Sequence, residues 1–293
     1  MPMSVRPLHQ MFVAEIDGAD LRKPLESEEV ATIAAVLDQF PVLVFPGQAI
    51  TDEQQMAFGV NFGELQRAVE YQTGRGEHRL NAAMTDASNL SKGNDAFGAG
   101  DRRRMNNLGS RRWHTDGSFS RIPVMFSILS GRAVPGQGGD TQFADMRAAY
   151  DALPEDMKAR IDGLVAIHNL VHSRSVVGFK EHTEQEIAKL QPMPQRLVRR
   201  HPKTGRKSLY LSSHAWHIKD WPMPEGLDLL YELSDFATQP QFVYSHKWKL
   251  NDLVMWDCRV TMHRARRHTP ETDPRDMRRV SVLDVAPTLE QAA

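Results

Sequence analysis

After Phe119 the chain is divided into short apolar runs, each closed by a turn signal, and this limits the folds open to it. "MFSILSGRAVP" reads as a strand, and "GQGGDTQFAD" as a turn followed by a strand. "LVRRHPKTGRKSLYLS" reads as a hairpin around Thr204-Gly205. "FVYSHKWKLNDLVMWDCRVTMHRA" reads as strand, turn, strand, with Asn251-Asp252 at the turn, and "RRVSVLDVA" as a last strand. Many short strands with turn signals point to a β-sandwich or jelly roll. A few helices flank them. "SEEVATIAAVLDQF" has apolar residues at helical spacing, with Ser27 placed to cap. "TDEQQMAFGVNFG" opens with Thr51 and has Gln54 three residues on, a capping-box pattern. "DMRAAYDALPEDMKARIDG" reads as a helix broken at Pro154, and "PEGLDLLYELSDFATQ" as an amphipathic helix. "PVLVFPG" reads as a buried strand.

Residues 64–112 differ from the rest. They are rich in Gly, Asn, Asp and Arg with weak periodicity, so a long, mobile loop region is expected there. No domain boundary is visible, and the 293 residues are read as one domain, 1–293. The net charge of -1 gives no reason to expect nucleic acid or an acidic membrane as partner. Cys258 is the single cysteine, which rules out an intrachain disulfide and is compatible with a reducing compartment. No signal peptide and no bilayer-spanning run are read, so a cytoplasmic location is expected.

"RRWHTDGSF" puts His114 and Asp116 on either side of one small residue. On a strand, residues two apart point to the same face. An imidazole and a carboxylate aimed into one space make half of a metal site, although most such pairs are surface polar residues. A third ligand must come from elsewhere. His263, in "VMWDCRVTMHRARR", follows a strand-like run and is a candidate; its plainer reading is a surface histidine in a basic patch. His214 and His217, in "HAWH", are three apart and can approach one ion on a helix. His168 and His172 fall in a stretch read as strand or loop. Arg275, Arg278 and Arg279 lead into an apolar strand. Arginine recognises carboxylates through a planar fork, although solvated charge near a strand start is the commoner fate of such a cluster. Two histidines and one carboxylate on one face of an iron leave its opposite positions open, the facial triad of non-haem Fe(II) oxygenases. Together these features suggest an iron whose co-substrate is an organic acid.

"WHTDGSF", "GGDTQFADMRAAYDALP", "DLVMWDCRVTMHRARR" and "RDMRRVSVLD" resemble the Fe(II)/2-oxoglutarate-dependent dioxygenases of the taurine and 2,4-dichlorophenoxyacetate dioxygenase family. The resemblance covers nearly the whole chain and is nearer to the 2,4-dichlorophenoxyacetate branch. It implies a double-stranded β-helix, the jelly-roll core. It implies His114, Asp116 and His263 as iron ligands. Thr141 and Arg275 fall where the family holds the far carboxylate of 2-oxoglutarate, with Arg278 as the alternative to Arg275. Trp256 matches a position beside that co-substrate, and core packing is its other reading. Arg279 falls where a second arginine grips the acidic group of the substrate, and His214 where a residue approaches the substrate pocket; His217 is equally a structural residue. Cys258 stands where the family often has Asn, and the Arg-rich "DRRRMNNLGSRR" departs from it. The implied cofactors are Fe(II), 2-oxoglutarate and O2, with a small acidic aromatic substrate and no nucleic-acid or membrane partner. Relatives often form dimers or larger assemblies, and no segment here decides the homo-oligomeric state. The implied reaction is hydroxylation beside the carboxylate of an aryloxyacetate. Taurine or another small acid, a non-catalytic jelly-roll protein that binds 2-oxoglutarate or metal, and a zinc hydrolase remain as other readings.

Overall fold

Period-two alternation gives the central sheet of this protein two apolar faces, and the rest of the fold covers them. The computed structural model describes residues 3–69, 78–269 and 272–292. Its strands are β1 Ser4–His9, β2 Val13–Asp17, β3 Val42–Phe45, β4 Met84–Asp86, β5 Val124–Ala133, β6 Thr141–Asp145, β7 Val165–His168, β8 Met193–Arg196, β9 Val198–Arg200, β10 Lys207–Leu209, β11 Ala215–Ile218, β12 Val243–His246, β13 Leu253–Asp257, β14 Thr261–Ala265 and β15 Asp276–Leu283. A seven-stranded sheet has the order β1-β2-β3-β13-β5-β15-β4. Its neighbours pair antiparallel except β2 with β3.

In β3 and β13, Leu43, Phe45, Leu253 and Met255 point to one side. There they join Ile128, Val280 and Val282 and are covered by Ile33 and Leu37 of the helix Ser27–Gln39 and Phe58 of the helix Asp52–Val60. Val42, Val44, Val254 and Trp256 point to the other side and meet Phe143 of β6 and Trp248. Phe143 belongs to a second sheet, β12-β6-β14, so the two sheets face each other across this cluster. This is the expected jelly-roll core with flanking helices. A fully buried central strand such as β13 must be apolar on both faces, which explains the unbroken "LVMW".

The turn signals fall where the sequence puts them. Asn251 has φ 65°, the left-handed conformation that asparagine tolerates at a tight turn. β9 and β10 form the hairpin around Thr204-Gly205. Thr51 and Gln54 make the reciprocal capping box. Asp145 and Pro154 cap two successive helices, Met146–Asp151 and Glu155–Ile161.

Four local expectations are corrected. The first helix is capped by Glu26, boxed with Glu29, and Ser27 is already inside it. Residues 64–112 are not one loop: they hold β4, a helix Arg102–Asn107 and a 3-10 turn Leu108–Arg111. Asp101 caps that helix by accepting from the Arg103 and Arg104 amides. The part of this stretch at 70–77 lies outside the described residues. "HAWH" is not helical: His214 precedes β11 and His217 lies on it. His172 is helical, within Leu170–Val176. No helix among the described residues is long and apolar enough to cross a membrane.

His114 and Asp116 do not lie on a regular strand. Only His114 pairs, through an isolated bridge to His263 of β14. The chain turns at once, and Gly117 takes φ +61°. A Cβ there would lie 2.5 Å from Val124 Cγ2 and 3.0 Å from the Val124 amide nitrogen. Gly117→Ala is therefore expected to destabilise the metal-free protein by at least about 2 kcal/mol, through backbone strain and this clash. Urea denaturation measures it, and an unchanged midpoint would contradict the account.

Candidate active site

Backbone pairing brings the two distant parts of the site together. The His114 amide donates to the His263 carbonyl at 3.0 Å, and the His263 amide donates to the His114 carbonyl at 2.9 Å. Between His114 and Asp116, Thr115 points away and donates its hydroxyl to the Leu211 carbonyl at 2.8 Å. The imidazoles of His114 and His263 and the Asp116 carboxylate then converge. Nε2 of His114 lies 3.7 Å from Asp116 Oδ1, and Nε2 of His263 lies 3.5 Å from Asp116 Oδ2. One ligand atom from each of the three residues lies within 4.8 Å of the others, and all three residues are buried.

The protonation states favour a cation at this point. His114 Nδ1 sits 2.8 Å from the Arg112 carbonyl, which only accepts, so Nδ1 carries the proton and Nε2 keeps its lone pair. Burial pushes the His263 imidazole down to about 3, with help from its neighbour His114. Burial also lowers His114, against the pull of Asp116. At Asp116, burial opposes ionisation. It is outweighed chiefly by the Arg279 guanidinium, which holds the carboxyl well below the usual carboxylate range. The result is two neutral nitrogens and one ionised oxygen, the donor state a divalent metal requires. Ser127 steadies the carboxylate by donating to Asp116 Oδ2 at 2.8 Å. Cys258 Sγ lies 3.5 Å from that same serine hydroxyl. Trp256 packs against His263 at 4.8 Å between ring centroids.

His114, Asp116 and His263 line a cavity of about 150 Å³, whose walls also include Thr141, Arg275, Arg279, His214 and Trp256. Thr141 opens β6, and its hydroxyl oxygen accepts from Trp248 Nε1 at 3.0 Å, so its own proton is left to donate elsewhere. Arg275 is 9% exposed and donates from Nη1 to the Ala87 carbonyl at 3.1 Å. No carboxylate among the described residues pairs with it, and burial alone pushes its guanidinium down to about 10. Arg278 is placed differently. It donates twice to Asp52 at 2.8 Å and twice to Asp276 at 3.3 and 2.9 Å, and it does not line the cavity. A buried guanidinium without a carboxylate is a ready anion site, and Arg275 rather than Arg278 is that group.

Arg279 reaches the His114, Asp116 and His263 cluster itself, since Nη1 donates to Asp116 Oδ1. His214 also faces the cavity, edge-on to Phe119 at 5.0 Å and to His114 at 6.0 Å, with Nδ1 2.7 Å from the Ser173 hydroxyl. His217 does not line it and packs on Trp216 at 4.6 Å. His168 is buried against the Ser118 hydroxyl at 3.0 Å, and His172 stacks on Trp216 at 5.2 Å. Sequence reasoning missed Ser127 and Trp248, which fix Asp116 and Thr141. It also missed Arg174, a further cavity cation on the helix Leu170–Val176. None of the three carries a local signal in the sequence.

His168 offers a test of the buried imidazoles away from the candidate metal cluster. Burial pushes it down to about 3. In the unfolded chain an imidazole takes up a proton near pH ~6.5. Between those values the unfolded state binds more protons, so stability must fall as pH falls. The metal-free protein should lose up to about 2 kcal/mol through His168 between pH ~6.5 and ~5. His168→Gln should flatten that part of the profile, as read by urea melts across pH; an equally steep variant would remove His168 as a cause.

The profile of the "Taurine catabolism dioxygenase TauD, TfdA family" matches residues 4–281. The chain is 41% identical over 283 residues to the alpha-ketoglutarate-dependent 2,4-dichlorophenoxyacetate dioxygenase of Burkholderia sp. (strain RASC), covering 97% of this chain and 95% of that protein. It is 40% identical over 286 residues to the enzyme of the same name from Cupriavidus pinatubonensis, covering 98% and 99%. The crystal structure of AAD-2 in complex with Mn(II) and N-oxalylglycine superposes with a TM-score of 0.90 at 49% identity, covering 99% of this chain and 100% of that one.

Proposed function

The chain belongs to the taurine catabolism dioxygenase TauD, TfdA family, and on that premise we propose that its cavity takes an aryloxyacetate such as 2,4-dichlorophenoxyacetate. It is a 2-oxoglutarate-dependent dioxygenase, an oxidoreductase that uses Fe(II), 2-oxoglutarate and O2. In this reading His114, Asp116 and His263 hold the iron, and the neutral imidazoles with the ionised carboxylate fit it. Bound there, Fe(II) supplies the oxygen chemistry that converts 2-oxoglutarate and O2 to succinate and CO2 and oxidises the substrate.

The protein's own groups orient the reactants. Thr141 and Arg275 are assigned to the far carboxylate of 2-oxoglutarate, and the observation that carries this is the buried Arg275 guanidinium without a carboxylate of its own. Trp256 lines the same cavity and packs on His263. Arg279 is assigned to the substrate carboxylate, with His214 at its side. Fixing that carboxylate presents the carbon between ether oxygen and carboxylate for oxidation. Hydroxylation there gives a hemiacetal, which breaks its bond to the aryl oxygen and leaves a phenol and glyoxylate. The apolar lining from Val69, Phe119, Leu129 and Leu170 favours an aryl group over a small sulfonate such as taurine.

The deciding assay is product release with Fe(II), ascorbate, O2 and 2-oxoglutarate. Phenol and succinate should appear in equal amounts from 2,4-dichlorophenoxyacetate. Succinate without phenol would move the search to other acids, and neither product from iron-loaded protein would favour a binding protein. At saturating iron, Arg279→Ala should raise the KM for the aryloxyacetate about tenfold or more, the loss of one charge-assisted hydrogen bond, and change that for 2-oxoglutarate much less. Arg275→Gln should do the reverse. Equal effects of either variant on both constants would sink the two assignments.

A further inference from the structure

The stretch Ala87-Ser88-Asn89 follows β4 and runs antiparallel to the residues that open β15. The Ala87 amide donates to the Met277 carbonyl at 3.0 Å, and the Asn89 amide donates to the Arg275 carbonyl at 3.1 Å. These bonds keep the register of β4, in which Asp86 faces Arg278 and Thr85 faces Arg279. A regular antiparallel ladder would return each bond through the backbone carbonyl of the same pair. Here two side chains take that place. The Met277 amide donates to the Ser88 hydroxyl at 3.1 Å, and the Arg275 amide donates to Asn89 Oδ1 at 2.9 Å. The Asn89 carbonyl turns to the Phe97 amide, from which it accepts at 2.8 Å.

The Ala87 carbonyl, relieved of the Met277 amide, accepts instead from Arg275 Nη1 at 3.1 Å. Arg275 is thus held at its backbone by Asn89 and at its side chain by Ala87. The two side chains that make this possible are themselves tied down. Asn89 Nδ2 donates to the Asp273 carbonyl at 2.8 Å. The buried Ser88 hydroxyl donates to Asp276 Oδ1 at 3.0 Å and accepts from Arg79 Nη2 at 2.7 Å as well as from Met277, which uses the full capacity of a hydroxyl. The register of β15 against β5 shifts at this same point, between Asp276 and Met277. Strand alternation therefore does not set the direction of Arg275, and the strap at 87–89 does.

We propose that Ser88 and Asn89 are positioning residues for the co-substrate: their side chains replace two backbone acceptors and leave the Ala87 carbonyl to aim the Arg275 guanidinium at the far carboxylate of 2-oxoglutarate. This rests on the reading of Arg275 as the anchor of that carboxylate. A planar guanidinium grips a carboxylate well only when its donors are correctly directed, and a carbonyl held against Nη1 restricts its plane. Neither Ser88 nor Asn89 lines the active-site cavity, so each acts through Arg275.

The test compares two 2-oxo acids by anaerobic isothermal titration calorimetry on the Fe(II)-loaded protein. 2-Oxoglutarate carries the far carboxylate, and 2-oxobutyrate has the same 2-oxo acid end without it. The unaltered protein should bind 2-oxoglutarate the more tightly. Ser88→Ala and Asn89→Ala should each weaken 2-oxoglutarate about tenfold, the scale of one hydrogen bond to a charged group, and 2-oxobutyrate less than about twofold. Asn89→Ala, at a half-buried position, covers the case in which loss of the buried Ser88 hydroxyl prevents folding. Unchanged 2-oxoglutarate affinity in the variants would overturn the positioning role. So would a weakening of both acids by the same factor, because that marks a general loosening of the site. Arg275→Gln is the control for the anchor. If it removes the preference for 2-oxoglutarate while Ser88→Ala and Asn89→Ala keep it, the anchor stands and the positioning role falls. An unaltered protein that binds both acids equally, or an Arg275→Gln protein that keeps the full preference, would overturn the anchor and the positioning role with it.

Discussion

The pair of backbone hydrogen bonds between His114 and His263 is the constraint on which the site depends. Neither residue is near the other in sequence, and each side chain is useful only when the other is in place. The bridge adds the His114 segment to the edge of β14, whose other side is paired with β6. β6 in turn brings Thr141 to the cavity at its first residue. One ladder thus positions both histidines and the threonine. The opposite sheet supplies the remaining groups: Ser127 from β5, Trp256 from β13 and Arg279 from β15. The site is built across the space between two sheets, where inward-facing side chains must meet.

Charge balance follows from that burial. An ionised Asp116 in this space requires a positive partner. Arg279 meets that need through its hydrogen bond, and a divalent cation between the imidazoles would meet it more fully. The histidines stay neutral because burial opposes their protonation, so the excess charge near Asp116 is carried by arginine alone. Arg275 is the complementary case. It is a buried cation without a carboxylate partner among the described residues, and the Ala87 carbonyl only partly satisfies it. Under the proposed assignment, a carboxylate bound in the cavity would supply the missing charge.

Much of this was legible in the sequence because it depends on local spacing. The His-x-Asp step, the turn residues, the capping box at Thr51 and the alternation of apolar runs each report a short-range preference. The expectation that His114 and Asp116 share a strand failed in detail. The turn at Gly117 ends the extended segment after one bridge, although Thr115 still points away from both ligands. Arg275 and Arg278 could not be separated by pattern, because a register shift between Asp276 and Met277 breaks the alternation at the head of β15. The fate of the Arg-rich segment was illegible for a related reason. Which way each arginine turns depends on the phase of a short helix started by the Asp101 cap and on how that helix packs, and composition records neither. Ser127 and Trp248 were missed because their partners are remote in sequence.

In the proposed reading, Arg279 would link substrate placement to the metal ligands through one rigid group. Its Nη1 is committed to Asp116, while its Nε is buried without a partner. The guanidinium is planar, so the direction of Nε is fixed once Nη1 is held. A substrate carboxylate accepted at Nε would therefore stand at a set offset from Asp116. The same carboxylate would satisfy a buried donor whose isolation otherwise costs about 1–3 kcal/mol. Lysine could not do this, because its ammonium rotates and carries no such plane. The arginine at this position thus offers direction as well as charge, and under the proposed assignment that direction would decide which carbon of an aryloxyacetate faces the metal.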